Sequence, residues 1–355
     1  MELVSQTKES LENWLLDHQE KKFRSSQILE WVYQKNALNF EAMTNLSLGL
    51  REKLKESFTF PLLEKVRVTP SGDEETYKFL WKLKDDRFVE SVLILSGDRR
   101  TLCVSSQVGC PGRCAFCASG KKGLIRNLSV GEILEQLLMV NQYLAEKGER
   151  VSHIVFMGMG EPLENYDNVT AAIRKMIDPQ LLNLSQRRIT VSTVGVVQNI
   201  HRLADEDFTV NLVLSLHAPN QHIRKKIIPY ARKYSYEETL HAMDVYFSKT
   251  KRNITYEYTL IAGINDSAEC AQELARILRN RQCTVNLIPY NHVEGLNLAR
   301  PSSDLIHQFR DILDRAGLET TWRYTKGKDI AAACGQLALQ EAEKTEESSL
   351  KLVCS

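Results

Sequence analysis

Leu102-Cys-Val-Ser105, then Ser106-Gln-Val-Gly109, then Cys110-Pro-Gly-Arg-Cys114-Ala-Phe-Cys117 is the stretch on which the fold class turns. Its apolar start predicts a strand, Leu102–Ser105, which delivers a loop with three cysteines at C-x3-C-x2-C spacing. Working outward, short apolar runs recur at His153–Met157, Ile189–Thr193, Val210–Leu216, Ile254–Leu260 and Val285–Pro289. Amphipathic stretches such as Val130–Leu144, Tyr236–Phe247 and Glu269–Asn280 lie between them and read as helices. Strands alternating with helices imply parallel β/α units in an α/β fold. Six such units are too few for a closed eight-stranded barrel and predict an open, partial (β/α)6 barrel, with Thr320–Tyr324 a candidate last strand.

Upstream, the character changes. Residues 1–60 read as helical, and Ser25–Tyr33, with Ile28, Leu29, Trp31, Val32 and Tyr33, is too apolar to stand alone. Residues 63–95 show alternating runs (Val66 and Val68; Tyr77, Phe79 and Trp81; Phe88, Val89 and Val92), with turns at Gly72 and Asp85–Asp86, and predict a small antiparallel sheet. The expected organisation is a small helical and β accessory domain over 1–95, the partial barrel over 96–340 and a polar tail over 341–355.

The 355 residues, 43% of them hydrophobic, suffice for a sizeable core. Lys+Arg 46 against Asp+Glu 45 leaves a net charge of +1, so only local charge can point to a nucleic-acid partner. The amino end carries acidic residues early and has no apolar core of a signal peptide, and no run approaches the roughly 20 apolar residues that span a bilayer. A soluble, cytoplasmic protein is expected. Its eight cysteines then read as metal ligands, catalytic thiols or small buried residues rather than a disulfide framework.

Three thiolates on one loop can hold a four-iron cubane and leave one iron open. An open iron can chelate the amino and carboxylate groups of S-adenosylmethionine (SAM) and pass an electron to its sulfonium. The alternative is a zinc site, which wants a fourth ligand; the next Cys or His in the chain is His153. Barrel-type folds carry their chemistry in the loops after the strands. Polar residues recur there: the three cysteines after the first candidate strand, Gly158-Met-Gly160-Glu161-Pro162 after the second, Ser192 at the third, Ser215 and His217 at the fourth, Asn291 after the sixth. His217 alone reads equally as an ordinary loop histidine. From Arg99 to Val130 there is no Asp or Glu, while Arg99, Arg100, Arg113, Lys121, Lys122 and Arg126 lie there. That basic rim suits a phosphate-rich substrate, the alternative being a solvated face. Cys334, within Asp329-Ile-Ala-Ala-Ala-Cys334-Gly-Gln-Leu, and Cys103 both read as small buried residues.

Taken together, Thr101–Cys110, Met157-Gly-Met-Gly-Glu-Pro162, Ser215-Leu-His-Ala-Pro219, Asn286-Leu-Ile-Pro289 and Ala332-Ala-Cys-Gly-Gln-Leu337 closely resemble the RlmN/Cfr family of radical SAM adenine methyltransferases of 23S ribosomal RNA. Phe23-Arg-Ser-Ser-Gln-Ile28 and Met43-Thr-Asn-Leu46 extend the resemblance into the N-terminal region, which in the family is an RNA-binding module. Gly160-Glu161-Pro162 resembles the RlmN branch, which methylates C2 of adenine, rather than the Cfr branch, which methylates C8. The resemblance implies Cys110, Cys114 and Cys117 as ligands of a 4Fe–4S cluster, and Gly160, Glu161, Ser192, Ser215, Leu216, His217 and Asn291 as SAM contacts. It further implies Cys334 as the cysteine that becomes methylated, Cys103 as its resolving partner and Glu90 as the proton acceptor. The implied substrates are adenine 2503 of 23S ribosomal RNA and, as in some relatives, adenine 37 of tRNA. Two molecules of SAM per turnover, a reducing electron donor, a monomer and no membrane complete the expectation. A radical SAM enzyme with a non-RNA substrate is the rival reading from another enzyme class, and a zinc-bearing RNA-binding module the non-enzymatic one.

Overall fold

The computed structural model describes residues 1–322 and 326–337. The polar tail and the end of the last candidate strand lie outside the described residues. Three helices open the chain: α1 (Lys8–Asp17), α2 (Arg24–Tyr33) and α3 (Leu48–Ser57). Thr7 caps the first and Ser47 the third by accepting a backbone N–H of the opening turn. The apolar face of α2 is buried through Ile28, Leu29, Val32 and Tyr33.

Four antiparallel strands follow: β1 (Glu64–Pro70), β2 (Thr76–Lys82), β3 (Phe88–Ser96) and β4 (Arg99–Cys103). A two-stranded hairpin, β5 (Gln107–Gly109) and β6 (Leu124–Asn127), then brackets the cysteine loop. The rest alternates: α4 (Val130–Ala145), β7 (His153–Phe156), α5 (Tyr166–Ile177), β8 (Ile189–Thr193), α6 (Val197–Ala204), β9 (Asn211–Ser215), α7 (Gln221–Ile227), α8 (Tyr236–Thr250), β10 (Ile254–Leu260), α9 (Ala268–Leu278), β11 (Cys283–Pro289), α10 (Ser303–Arg315) and β12 (Glu319–Trp322).

The sheet order is β1-β2-β3-β4-β7-β8-β9-β10-β11-β12. Every pairing from β4 to β12 is parallel, and β12 does not close on β1, so the expected open partial barrel is what forms. The antiparallel strands do not stand apart from it. β3 pairs with β4, Val92 opposite Cys103, so one continuous sheet carries both the accessory strands and the barrel strands. The division drawn at 95/96 falls within β3.

Helix α4 joins the N-terminal region to the barrel. Ser129 and Glu132 form its capping box, and it is buried on several faces because the 60–63 segment packs along it. Glu135 Oε2 accepts the backbone N–H groups of Leu62 and Leu63, at 2.6 and 2.9 Å. Gln136 Oε1 accepts from Ser91 Oγ and Ser105 N, tying α4 to β3 and to the end of β4. No helix among the described residues is long and apolar enough to cross a membrane.

Candidate active site

The cysteine loop is held by its own backbone. Cys110 N–H donates to Gly123 O at 3.0 Å and Cys117 N–H to Cys114 O at 3.1 Å. Gly109 has φ +76°, and a Cβ there would lie 2.0 Å from Gly123 O, so only glycine lets the two ends of the loop meet. A Cβ on Gly112 would stand 3.4 Å from Cys110 Sγ and 3.6 Å from Cys114 Sγ, which places both sulfurs around that glycine.

The loop opens onto a cleft of about 840 Å³, its solvent-open mouth included. Cys110, Cys114 and Cys117 form one wall. Gly160, Glu161, Ser192, Ser215, His217 and Asn291 line the rest, together with Glu257 and Tyr290. These residues come from the ends of successive parallel strands, the end at which such folds place their chemistry. Leu216 is the exception: its side chain is wholly buried and its backbone, not its side chain, faces neighbours.

Each wall residue has a physical anchor. The Gly158–Pro162 turn is zipped to the β4–β5 connection: Gly158 N–H donates to Val104 O, Met159 N–H to Ser105 Oγ and Glu161 N–H to Gln107 Oε1. Gly160 (φ +112°) leaves no room for a Cβ, which would fall 2.7 Å from Ser106 Oγ. Glu161, 2% exposed, accepts from Val194 N at 2.8 Å and Leu163 N at 3.0 Å; burial nevertheless pushes its carboxyl up to about 7. Ser192 and Ser215 stand 3.3 Å apart, oxygen to oxygen. His217 is no ordinary loop histidine. Its Nδ1 accepts the Thr259 N–H at 2.9 Å, which leaves the ring hydrogen on Nε2, and burial, then the Arg224 charge, pull its pKa down to about 3. It meets Phe116 of the cysteine loop edge to face.

A second, smaller cavity adjoins the first and shares Cys117, Met157, Gly158 and Cys334 with it. Cys103 lines it, as do Val92 and Ile94 of β3. Glu90 stands two residues before Val92 on the same face of β3; it is fully buried, and its Oε1 is 3.3 Å from Lys78 Nζ. Cys103 is buried, as its sequence suggested, but Cys334 is not. The Ala-Gly run around it is no core segment: it is a strap laid across the cysteine loop. Ala118 N–H donates to Gly335 O at 2.8 Å, Ser119 Oγ to Leu337 O at 2.7 Å, Gln336 Nε2 to His292 O at 2.8 Å and Asn291 Nδ2 to Cys334 O at 3.2 Å. Only the glycines, Gly327 and Gly335, hint at this in the sequence.

The basic rim is thinner than the sequence suggested. Glu149 takes Arg100, while Asp85 and Glu132 both take Arg126; none of the three acids lies in the acid-free window. Lys121 donates to Glu294 O. Arg99, Arg113, Lys121 and Lys122 remain exposed.

The three loop thiols fit a cationic metal core. Burial raises the pKa of each; Cys110 is pushed up to about 12, so thiolates form there only if positive charge enters. No three Cys, His, Asp or Glu side chains among the described residues close around a single ion, whereas a cubane is wider than an ion and meets donors spread around a wall.

An open parallel barrel with this cysteine loop after its first strand defines a radical SAM enzyme. Residues 104–275 match the Radical SAM superfamily, and residues 1–60 match the family described as Ribosomal RNA large subunit methyltransferase N-terminal domain. The chain is 62% identical to the "Probable dual-specificity RNA methyltransferase RlmN 2" of Protochlamydia amoebophila, over 94% of each chain. It is 45% identical to the corresponding RlmN of Clostridium tetani, over 94% of this chain and 95% of that one. A crystal structure of a radical SAM methyltransferase from Sphaerobacter thermophilus superposes with a TM-score of 0.93 at 42% identity, covering 95% of this chain and 99% of that one. The chain belongs to the RlmN family.

Proposed function

We propose that this chain methylates C2 of adenine 2503 in 23S ribosomal RNA, and adenine 37 in tRNA, in the cytoplasm and as a monomer. The observation that carries the reading is that Cys103 and Cys334, distant in sequence, line one small cavity that opens beside the cysteine loop. A thiol pair there suits a reaction that ends in sulfur–sulfur exchange. Residues 1–95 supply an RNA-binding module, residues 96–340 the barrel, and Arg113, Lys121 and Lys122 contact phosphates at the mouth.

Cys110, Cys114 and Cys117 would hold a 4Fe–4S cluster, with Gly160, Glu161, Ser192, Ser215, His217, Asn291 and the Leu216 backbone around SAM. Such a cluster, reduced by a one-electron donor, would supply the electron that turns SAM into methionine and a 5′-deoxyadenosyl radical. Cys334 first takes a methyl group from one SAM by displacement. A second SAM provides the radical that removes a hydrogen from that methyl, so two are consumed. The Cys334 methylene then bonds to the electrophilic C2 carbon, which accounts for the need of a radical, since a cationic methyl donor attacks such a carbon poorly. The adduct then carries one unpaired electron, which a one-electron acceptor must take up (the oxidised cluster would serve), and Glu90 takes the C2 proton so that the ring regains its double bond. The Cys103 thiolate attacks the Cys334 sulfur, the sulfur–methylene bond breaks with its electron pair on carbon, that carbon takes a proton to become the methyl group of methyladenine, and a Cys103–Cys334 disulfide remains. The base enters splayed out, as looped RNA permits.

Cys103→Ala should therefore stall with protein and RNA joined through one methylene bridge at Cys334, whereas Cys334→Ala should form no adduct; denaturing gels after nuclease trimming read both. An adduct in Cys334→Ala would overturn the assignment. Mass spectrometry of ribosomal RNA from cells with and without the protein distinguishes C2 from C8 methylation.

A further inference from the structure

Arg224, on α7, is 1% exposed, and among the described residues the hydrogen-bond partners of its guanidinium are backbone carbonyls. Nη2 donates to Val194 O at 2.6 Å and reaches Ser215 O at 3.4 Å; Nε donates to Leu216 O at 3.2 Å. No carboxylate among the described residues forms an ion pair with it. Carbonyl dipoles satisfy its hydrogens without cancelling its charge, and an uncompensated buried charge is among the costliest features a fold can carry.

The helix that carries the charge is tied to the cysteine loop. Ile227, three residues on, accepts the Ala115 N–H at 2.8 Å through its carbonyl, and Ile227, Ile228 and Val194 belong to the apolar cluster packed on Cys114 and Phe116. The packing between α7 and the loop is thus apolar, and charge acts through apolar packing with less screening than through water.

We propose that Arg224 is the built-in counter-charge of the cluster, a positioning residue that sets its reduction potential; this rests on the cluster assignment above. A cubane on three thiolates is net negative, and one-electron reduction makes it more so. A fixed cation stabilises the reduced form more than the oxidised form and raises the midpoint. The fork also ties the end of β8, through Val194, to the end of β9, through Ser215 and Leu216. A merely structural arginine would need that fork and not the charge, which separates the two roles.

The test uses the full-length chain with its cluster reconstituted anaerobically, without SAM or RNA, as Arg224→Gln, Arg224→Met and Arg224→Lys. Iron content is measured first, then the midpoint by redox titration followed by electron paramagnetic resonance. The neutral variants should titrate at a more negative midpoint than the wild type, and the lysine variant close to it. A fully loaded neutral variant with an unchanged midpoint overturns the proposal. Loss of iron in both neutral variants, with loading kept in Arg224→Lys, supports it; loss in all three assigns the residue to the fold and overturns it. An iron-free wild type would instead sink the cluster assignment itself.

Discussion

At the scale of single residues, the site depends on a few positions where nothing larger than hydrogen fits. Gly109 is the sharpest, because a Cβ would meet the backbone oxygen of Gly123 at 2.0 Å and backbone cannot swing aside. Gly109→Ala should therefore part β5 from β6, release Cys110 N–H from Gly123 O and cost roughly 1–3 kcal/mol from the clash, with about 1 kcal/mol more from the positive φ. Iron content after reconstitution should fall below half that of the wild type while the far-ultraviolet circular dichroism is kept. Full loading would show that the hairpin does not shape the loop. At this scale the sequence was legible where chemistry is written by residue type: the three cysteines, Glu161 and Asn291 all line one cleft. It was illegible for Cys334, whose small neighbours suggested burial although their role is to let a strap lie flat. It misled for Arg100 and Arg126, whose acidic partners Glu149, Asp85 and Glu132 are near only in space.

At the scale of elements, the parallel strands were the easiest to read. Ile189–Thr193 and Ile254–Leu260 form as expected, because β-branched and aromatic residues, which suit a pleated strand, fill both short runs. The β5–β6 hairpin escaped notice, since Leu124 and Ile125 are exposed and β6 has no buried face to give alternation. Helix α4 carries the next prediction. Glu135 has one oxygen on two backbone N–H groups and the other, Oε1, buried without a hydrogen-bond partner. Burial outweighs those two bonds and pushes its pKa up from 4.5 to about 8. The folded state thus holds this proton more tightly than the unfolded state. Its contribution to stability is complete below pH 4.5 and is lost as pH rises toward 8. Across pH 5 to 8.5 the wild-type melting temperature should fall, and Glu135→Gln, which keeps an oxygen for Leu62 and Leu63, should flatten that fall by an amount on the order of 3 kcal/mol. Parallel wild-type and variant curves would show that Glu135 is ionised in the fold at neutral pH.

At the scale of the whole molecule, the cleft opens at one end of the sheet, and exposed Lys121 and Lys122 lie on the segment that borders it. Lys121→Glu with Lys122→Glu should weaken RNA binding and lower the slope of log K against log salt by about 2, near one unit for each phosphate that no longer meets a lysine. Iron content should not change, because neither side chain lines the cluster wall. An unchanged slope would make these lysines a solvated face. The strap also has a consequence in time. A ribosome builds the chain from its amino end, so the cysteine loop and the six β/α units emerge before residues 327–337, whose hydrogen bonds close over Ala118 and Ser119. During biosynthesis the loop is therefore uncovered until residues 327–337 have been made, and the bonds from Ala118 and Ser119 to that strap can form only after every barrel strand has emerged.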